Sequence, residues 1–213
     1  MRISFMGHAC FLLETARGTK IITDPYEPGS YQGALKYAPV NIDADIVTVS
    51  HKHPDHNFTK EFRKAKIYDH SGSWSIYDVE IKGILSYHDN QKGKARGSNI
   101  IFVISADGMR IAHFGDLGTT DIDYGSIGQI DVALIPVGTI FTIDAEEIAR
   151  LNKTLNPRIC IPMHFKTSRC EFNIATVDDF ITGKPDIQHC ETLELSSQNI
   201  GSFSSIVVLE HMR

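Results

Sequence analysis

The sequence predicts an α+β fold in which two β-sheets pack face to face with helices on the outside. Three observations predict it. Short apolar, β-branched runs recur along the whole chain, punctuated by glycines and polar turns. Helices fall mainly between the later strands. The first half lacks the regular strand–helix alternation that a doubly wound parallel sheet requires. The 213 residues suit one domain spanning 1–213, and 42% apolar against 22% charged residues is an ordinary globular balance.

The elements follow in order. Runs at Ile3–Met6, Cys10–Glu14 and Lys20–Thr23, separated by Gly7 and Gly18, predict a meander of short strands. Tyr26–Asn41, rich in Pro, Gly and Tyr, predicts a long loop. Asp45–Ser50 is a compact strand that runs into a histidine cluster. Phe58–Ala65 predicts a short helix with Asn57 as its cap. Lys66–Tyr68 and Val79–Tyr87 predict strands. Ser98–Ser105 and Met109–Phe114 flank Asp107-Gly108, a strong hairpin signal. Asp131–Ile135 is a strand. Ile143–Leu155 has helical spacing, with Asp144 near its start and Pro157 just beyond its end. Arg158–Pro162 predicts a strand, Thr176–Ile181 a short helix and Ser205–His211 a final strand.

Composition narrows the function. A net charge of −5 gives no support to nucleic acid as the partner. No apolar run approaches the roughly 20 residues of a membrane-spanning helix. The N-terminus lacks a cleavable secretion signal, since His8 and Glu14 interrupt its apolar stretch. Cysteines 10, 160, 170 and 190 fit no zinc-ribbon spacing and read as reduced thiols of a cytoplasmic protein.

The chemistry is concentrated in His51-Lys52-His53-Pro54-Asp55-His56. His51 and His53 can point the same way at a strand end, because strand residues alternate sides. Pro54 cannot continue a ladder, so it forces a turn that brings Asp55 and His56 in from another direction. Imidazole and carboxylate ligands suit zinc, manganese or iron. A solvated histidine-rich loop explains such crowding poorly, since buried and unpaired these groups would be costly. Further candidates stand just past other predicted strands: His88, Asp116 in Gly115-Asp116-Leu117-Gly118, and His164 in Pro162-Met163-His164-Phe165. Each alone is explained as well by a structural role. Together they supply seven ligands, enough for two cations sharing one carboxylate.

His-x-His-x-Asp-His, a distal His, Gly-Asp and a late His resemble the metallo-β-lactamase superfamily. Gly7-His8-Ala9, Ile22-Thr23-Asp24-Pro25, His113-Phe114-Gly115-Asp116 and Ile161-Pro162-Met163-His164-Phe165 resemble its ascorbate-6-phosphate lactonase-like, poorly characterised hydrolase branch. The resemblance implies a four-layer αββα sandwich with two divalent ions, zinc or manganese ahead of iron, at one edge. It implies that His51, His53 and His88 hold the first ion, Asp55, His56 and His164 the second, and that Asp116 bridges them. Asp55 would also orient the attacking hydroxide. Asp24 would orient ligands without binding metal, and His8 and His113 would stand behind the ligands or serve the fold. Leu117 departs from the Thr that many relatives carry. His53 stands where di-iron oxygen-chemistry relatives carry Glu, which favours hydrolysis.

The expected reaction is attack by a metal-bridging hydroxide on a small, anionic ester or lactone, with or without a phosphate. Phosphodiesterase or nuclease action at the same centre is a second reading, and a non-catalytic metal-binding sensor or interaction protein a third. Lys92, Lys94 and Arg96 follow His88 closely, and Lys166 follows His164; they could grip an anionic substrate, although a solvated hairpin tip accounts for the same run. Tyr26, Tyr31 and Tyr37 could line the mouth of the site or pack their loop down. The reading leaves room for a homo-oligomer.

Overall fold

A computed structural model describes residues 1–212 of the chain. Its strands, in chain order, are β1 (Arg2–Gly7), β2 (Cys10–Glu14), β3 (Lys20–Thr23), β4 (Ile46–Thr48), β5 (Lys66–Tyr68), β6 (Gly72–Ile76) and β7 (Val79–Tyr87). They continue as β8 (Ser98–Ala106), β9 (Met109–His113), β10 (Val132–Pro136), β11 (Ile159–Met163), β12 (Ile187–Cys190), β13 (Thr192–Glu194) and β14 (Ile206–Leu209). A six-stranded sheet runs β13-β1-β2-β3-β4-β5, and an eight-stranded sheet runs β12-β14-β11-β10-β9-β8-β7-β6.

Alternation sorts the first sheet's side chains into two cores. Ile3, Phe5, Phe11, Leu13, Ile21 and Ile46 face the second sheet and share one cluster with Ile101, Val103, Ile111 and Leu134. Met6, Cys10, Leu12, Ile22 and Val47 face the other way. There Tyr26, Leu35, Tyr37 and Val40 cover them, so the 26–41 loop takes the place of a helical layer. Tyr26 and Tyr37 are packing residues, each almost fully buried.

The helices flank the second sheet. Ala145–Leu155 buries Ile148, Leu151 and Leu155, the three- and four-residue spacing of one helical face. Asp144 accepts from the Glu147 amide while the Glu147 side chain accepts from the Asp144 amide, a reciprocal cap. Thr176 and Asp179 repeat that cap on Val177–Ile181. A further short helix spans Tyr124–Ile127. The hairpin at Asp107-Gly108 has positive φ at both residues, as a tight two-residue turn needs.

One expected helix does not form. Phe58–Ala65 holds only a 3-10 turn over Thr59–Glu61, and Asn57 caps nothing. The Phe58 amide is taken by the Pro25 carbonyl at 2.7 Å and the Lys66 amide by Asp45 at 2.9 Å. The chain is pulled into β5 before a helix can propagate. No helix among the described residues is long and apolar enough to cross a membrane.

Direction is what positions the site. β2 is antiparallel to β1 and β3, and β4 is parallel to β3, so β1, β3 and β4 run one way. In the second sheet β8 is antiparallel to β7 and β9, while β10 and β11 are parallel to β9. Thus β7, β9 and β11 also share a direction. Each of these strands ends just before a residue of interest: His8, Asp24, His51, His88, Asp116 and His164.

Candidate metal centre

Those strand ends converge on one buried cluster. His51, His53 and His88 bring nitrogen atoms within 4.8 Å of one another, and Asp55, His56, His164 and His8 form a second such group. Asp116 stands between the groups. Its Oδ2 lies 3.3 Å from both His88 Nε2 and His164 Nε2 and 3.8 Å from His51 Nε2. Its Oδ1 lies 3.3 Å from His56 Nε2.

The hydrogen bonds decide which ring nitrogens face inward. Asp24 accepts from the Ser50 amide at 2.7 Å, from Ser50 Oγ at 2.5 Å and from His56 Nδ1 at 2.8 Å. His56 Nδ1 therefore carries hydrogen and Nε2 faces Asp116. Ser50 has spent its only proton on Asp24, so at 2.9 Å from His51 Nδ1 it accepts. That leaves His51 Nε2 bare, 3.0 Å from His53 Nδ1. Asp24 thus acts on the ligand rings from behind, through a direct bond and a serine.

His8 donates from Nε2 to Asp55 Oδ2 at 3.0 Å, and Tyr31 Oη donates to Asp55 Oδ1 at 3.0 Å. Both oxygens of Asp55 are thereby oriented. His113 is a structural residue: Nε2 donates to the Ala9 carbonyl at 2.8 Å, and Nδ1 accepts from the Gly115 amide at 3.2 Å. Leu117 is fully buried in the core, and its carbonyl accepts from the Ile143 amide.

The electrostatics are those of a site built for cations. Burial pushes the His51 imidazole down to about 3, helped by neighbouring His56. Burial and then His164 push His8 down to about 4. Burial alone would depress His56 as well, but the Asp116, Asp55 and Asp24 carboxylates hold it well above the ordinary histidine range. Asp116 and Asp55 are driven up by burial and pulled back further by the imidazoles around them, so both stay charged. His56 Nε2 and Asp116 Oδ1 are buried with no hydrogen-bond partner among the described residues. Orphans of this kind, aimed at one another, fit a cation between them.

Sequence reasoning missed Ser50 and Asn99. Buried Asn99 donates to Ser86 Oγ and to the Phe114 carbonyl, and its Oδ1 accepts from the Asp116 amide at 3.1 Å. The available signal was an amide side chain inside the otherwise apolar Ser98–Ser105 run. The basic residues divide. Arg96 lines the cleft in front of the cluster, with Tyr31, Phe141 and Phe172. Lys92, Lys94 and Lys166 are exposed and lie outside that lining. The loop that carries Lys92 and Lys94 is shaped by Asp89, whose carboxylate gathers the amides of Gln91, Gly93, Ala95 and Arg96 and winds it into a knot.

Comparison with known proteins agrees with this geometry. A family model described as a Beta-lactamase superfamily domain matches residues 2–164. A protein of Thermococcus kodakarensis named UPF0173 metal-dependent hydrolase is 31% identical, with 78% of this chain and 85% of the relative covered. A crystal structure from Thermotoga maritima, assigned as a zinc-dependent hydrolase of the metallo-β-lactamase superfamily, has a TM-score of 0.78 at 34% identity over 99% of both chains. Igni18, a metallo hydrolase of Ignicoccus hospitalis, shares the fold with a TM-score of 0.67 at 20% identity, covering 99% of this chain and 94% of its own.

Proposed function

Because the chain belongs to the metallo-β-lactamase superfamily, in its UPF0173 metal-dependent hydrolase branch, we propose that it hydrolyses a small anionic ester or lactone at a centre of two divalent cations. His51, His53 and His88 would hold one cation, and Asp55, His56 and His164 the other, with Asp116 shared. The single observation that carries this is the approach of imidazole nitrogens and carboxylate oxygens to 3.0–3.8 Å around Asp116 and His51, with orphaned atoms among them. Zinc is the ion of choice, from the assignment of the Thermotoga maritima relative.

When bound, such a pair supplies a water of lowered pKa and an electrophilic anchor for the substrate oxygen. The chain's own residues do the rest. Asp24 and Ser50 hold the His56 and His51 rings so that they present their Nε2 atoms. His8 and Tyr31 fix Asp55 from its two sides. Burial and the Asp55 charge raise the Tyr31 phenol above its ordinary range, so it keeps its proton. It stands on the cleft wall with its one O–H committed to Asp55. In the net reaction the water oxygen bonds to the acyl carbon and the acyl–oxygen bond breaks. A water proton ends on the leaving alkoxide.

The test is turnover by zinc-reconstituted protein on a panel of lactones, carboxylic esters, thioesters and phosphodiesters. Esters or lactones are expected to turn over, and His53→Ala to cost at least about 100-fold, more than loss of an outer partner does. Turnover confined to phosphodiesters, or untouched by His53→Ala, would overturn the proposal.

A further inference from the structure

The cleft before the metal centre has a volume of about 550 Å³, in the range of small-molecule sites. Its wall is more apolar than a small polar ester would require. Tyr31 meets Phe172 edge to face with ring centroids 5.1 Å apart, and Phe141 meets Phe172 likewise at 6.4 Å. These rings come from three separate loops and form one connected surface. They are not simply filling a core. Tyr31 is 46% exposed, Phe141 38% and the adjacent Ile140 56%. A contiguous exposed apolar surface marks a place where something binds. Tyr31 is also held with φ 53° and ψ 49°, a left-handed backbone that non-glycine residues rarely adopt.

Arg96 is the one fixed cation in that lining. Its guanidinium sits 5.3 Å from the Phe141 ring centroid, and Nη1 donates to the Phe141 carbonyl at 3.0 Å. It makes no ion pair with any described residue. The Asp89 knot ties its backbone down beside His88. A guanidinium stacked on an aromatic ring, braced by one bond and lacking a counter-ion, presents its remaining N–H groups to a planar carboxylate.

We infer that the cleft selects substrates whose non-reacting part is a flat, apolar ring bearing a carboxylate, the ring against Tyr31, Phe141 and Phe172 and the carboxylate on Arg96. This rests on the hydrolase reading for where the scissile bond lies, and on the wall alone for what is bound.

The test uses calorimetric titration of the zinc-loaded full chain with three probes that cannot be hydrolysed. Terephthalate has the ring and two charges, adipate two charges without a ring, and benzoate the ring with one charge. Terephthalate is expected to bind about tenfold more tightly than either of the others, the scale of one aromatic contact set or one charge-assisted pair. Arg96→Gln removes its advantage over benzoate and keeps its advantage over adipate. Phe172→Leu does the reverse and preserves an apolar side chain for folding. Equal binding of terephthalate and adipate, an unchanged ranking in Arg96→Gln, or no binding at all would overturn the inference even if esters are hydrolysed. The expected ranking without turnover of any ester or lactone would sustain it and remove the ester-and-lactone reading instead.

Discussion

At the scale of single residues, the site is governed by side chains that touch no substrate. Asp24 reaches His56 directly and His51 through Ser50. Asp24→Asn keeps the shape but removes the charge that orders both rings. Zinc affinity is expected to fall about 10- to 100-fold, read by chelator competition, with an unchanged circular dichroism spectrum. Proton competition gives a second expectation. His56 among three carboxylates keeps a proton at neutral pH when no cation is present, and a cation must displace it. Zinc affinity therefore climbs as pH rises above neutrality and falls on acidification, with proton release on binding. A flat affinity between about pH 6 and pH 9 in a competition assay would show that His56 binds no proton there. Residue spacing made the 51–56 ligands legible, because the ligands themselves have a pattern. It could not reveal Ser50, Asn99, Phe141 or Phe172, which matter through contacts made across the chain.

At the scale of elements, each strand end delivers one group, and the turns hold it. His8 and His164 both adopt left-handed backbone, with φ of 58° and 51°, and the His164 amide donates to the His8 carbonyl at 2.7 Å. The two sheets are thus stitched together at the cluster itself. Gly118 shows how little room these turns have. A Cβ there would meet the His88 carbonyl carbon at 2.2 Å and the Asp89 nitrogen at 2.4 Å, both backbone. Gly118→Ala is expected to push His88 away from Asp116, costing about 1–3 kcal/mol of stability and much of the bound metal, measured by denaturant melts and elemental analysis. Gly201→Ala, open to solvent, is the control. The long β-branched strands were legible because their pattern is local. β6 was not, since Gly72-Ser73-Trp74-Ser75-Ile76 has only one β-branched residue and becomes a strand through pairing with β7. β12 and β13 were hidden likewise, as short strands completed by β14 and β1.

At the scale of the whole molecule, two sheets packed on one shared core present one edge where carboxylate and imidazole groups are buried together. Removing bound metal should loosen that edge. With free zinc at about 100 times its dissociation constant, linkage gives roughly 2.7 kcal/mol. For a chain of this size that is a melting shift of about 5–10 °C. Calorimetric scans with and without chelator measure it, and coincident melts would mean that the folded chain gains nothing from the ion. The element pattern was compatible with two facing sheets, and the family resemblance implied them. The loop that substitutes for a helical layer was not legible, because Tyr26, Tyr37 and Leu35 acquire their burial from Met6, Leu12 and Val47, far away along the chain. The wound segment between Asp89 and Gly97 shows what this division of labour permits. Asp89 and the Gly93–Gly97 bond cinch that segment, and none of its members belongs to the buried histidine set. Rewriting its exposed residues while Asp89, Gly93 and Gly97 are kept would retune which molecules the enzyme admits and leave the histidine cluster in place.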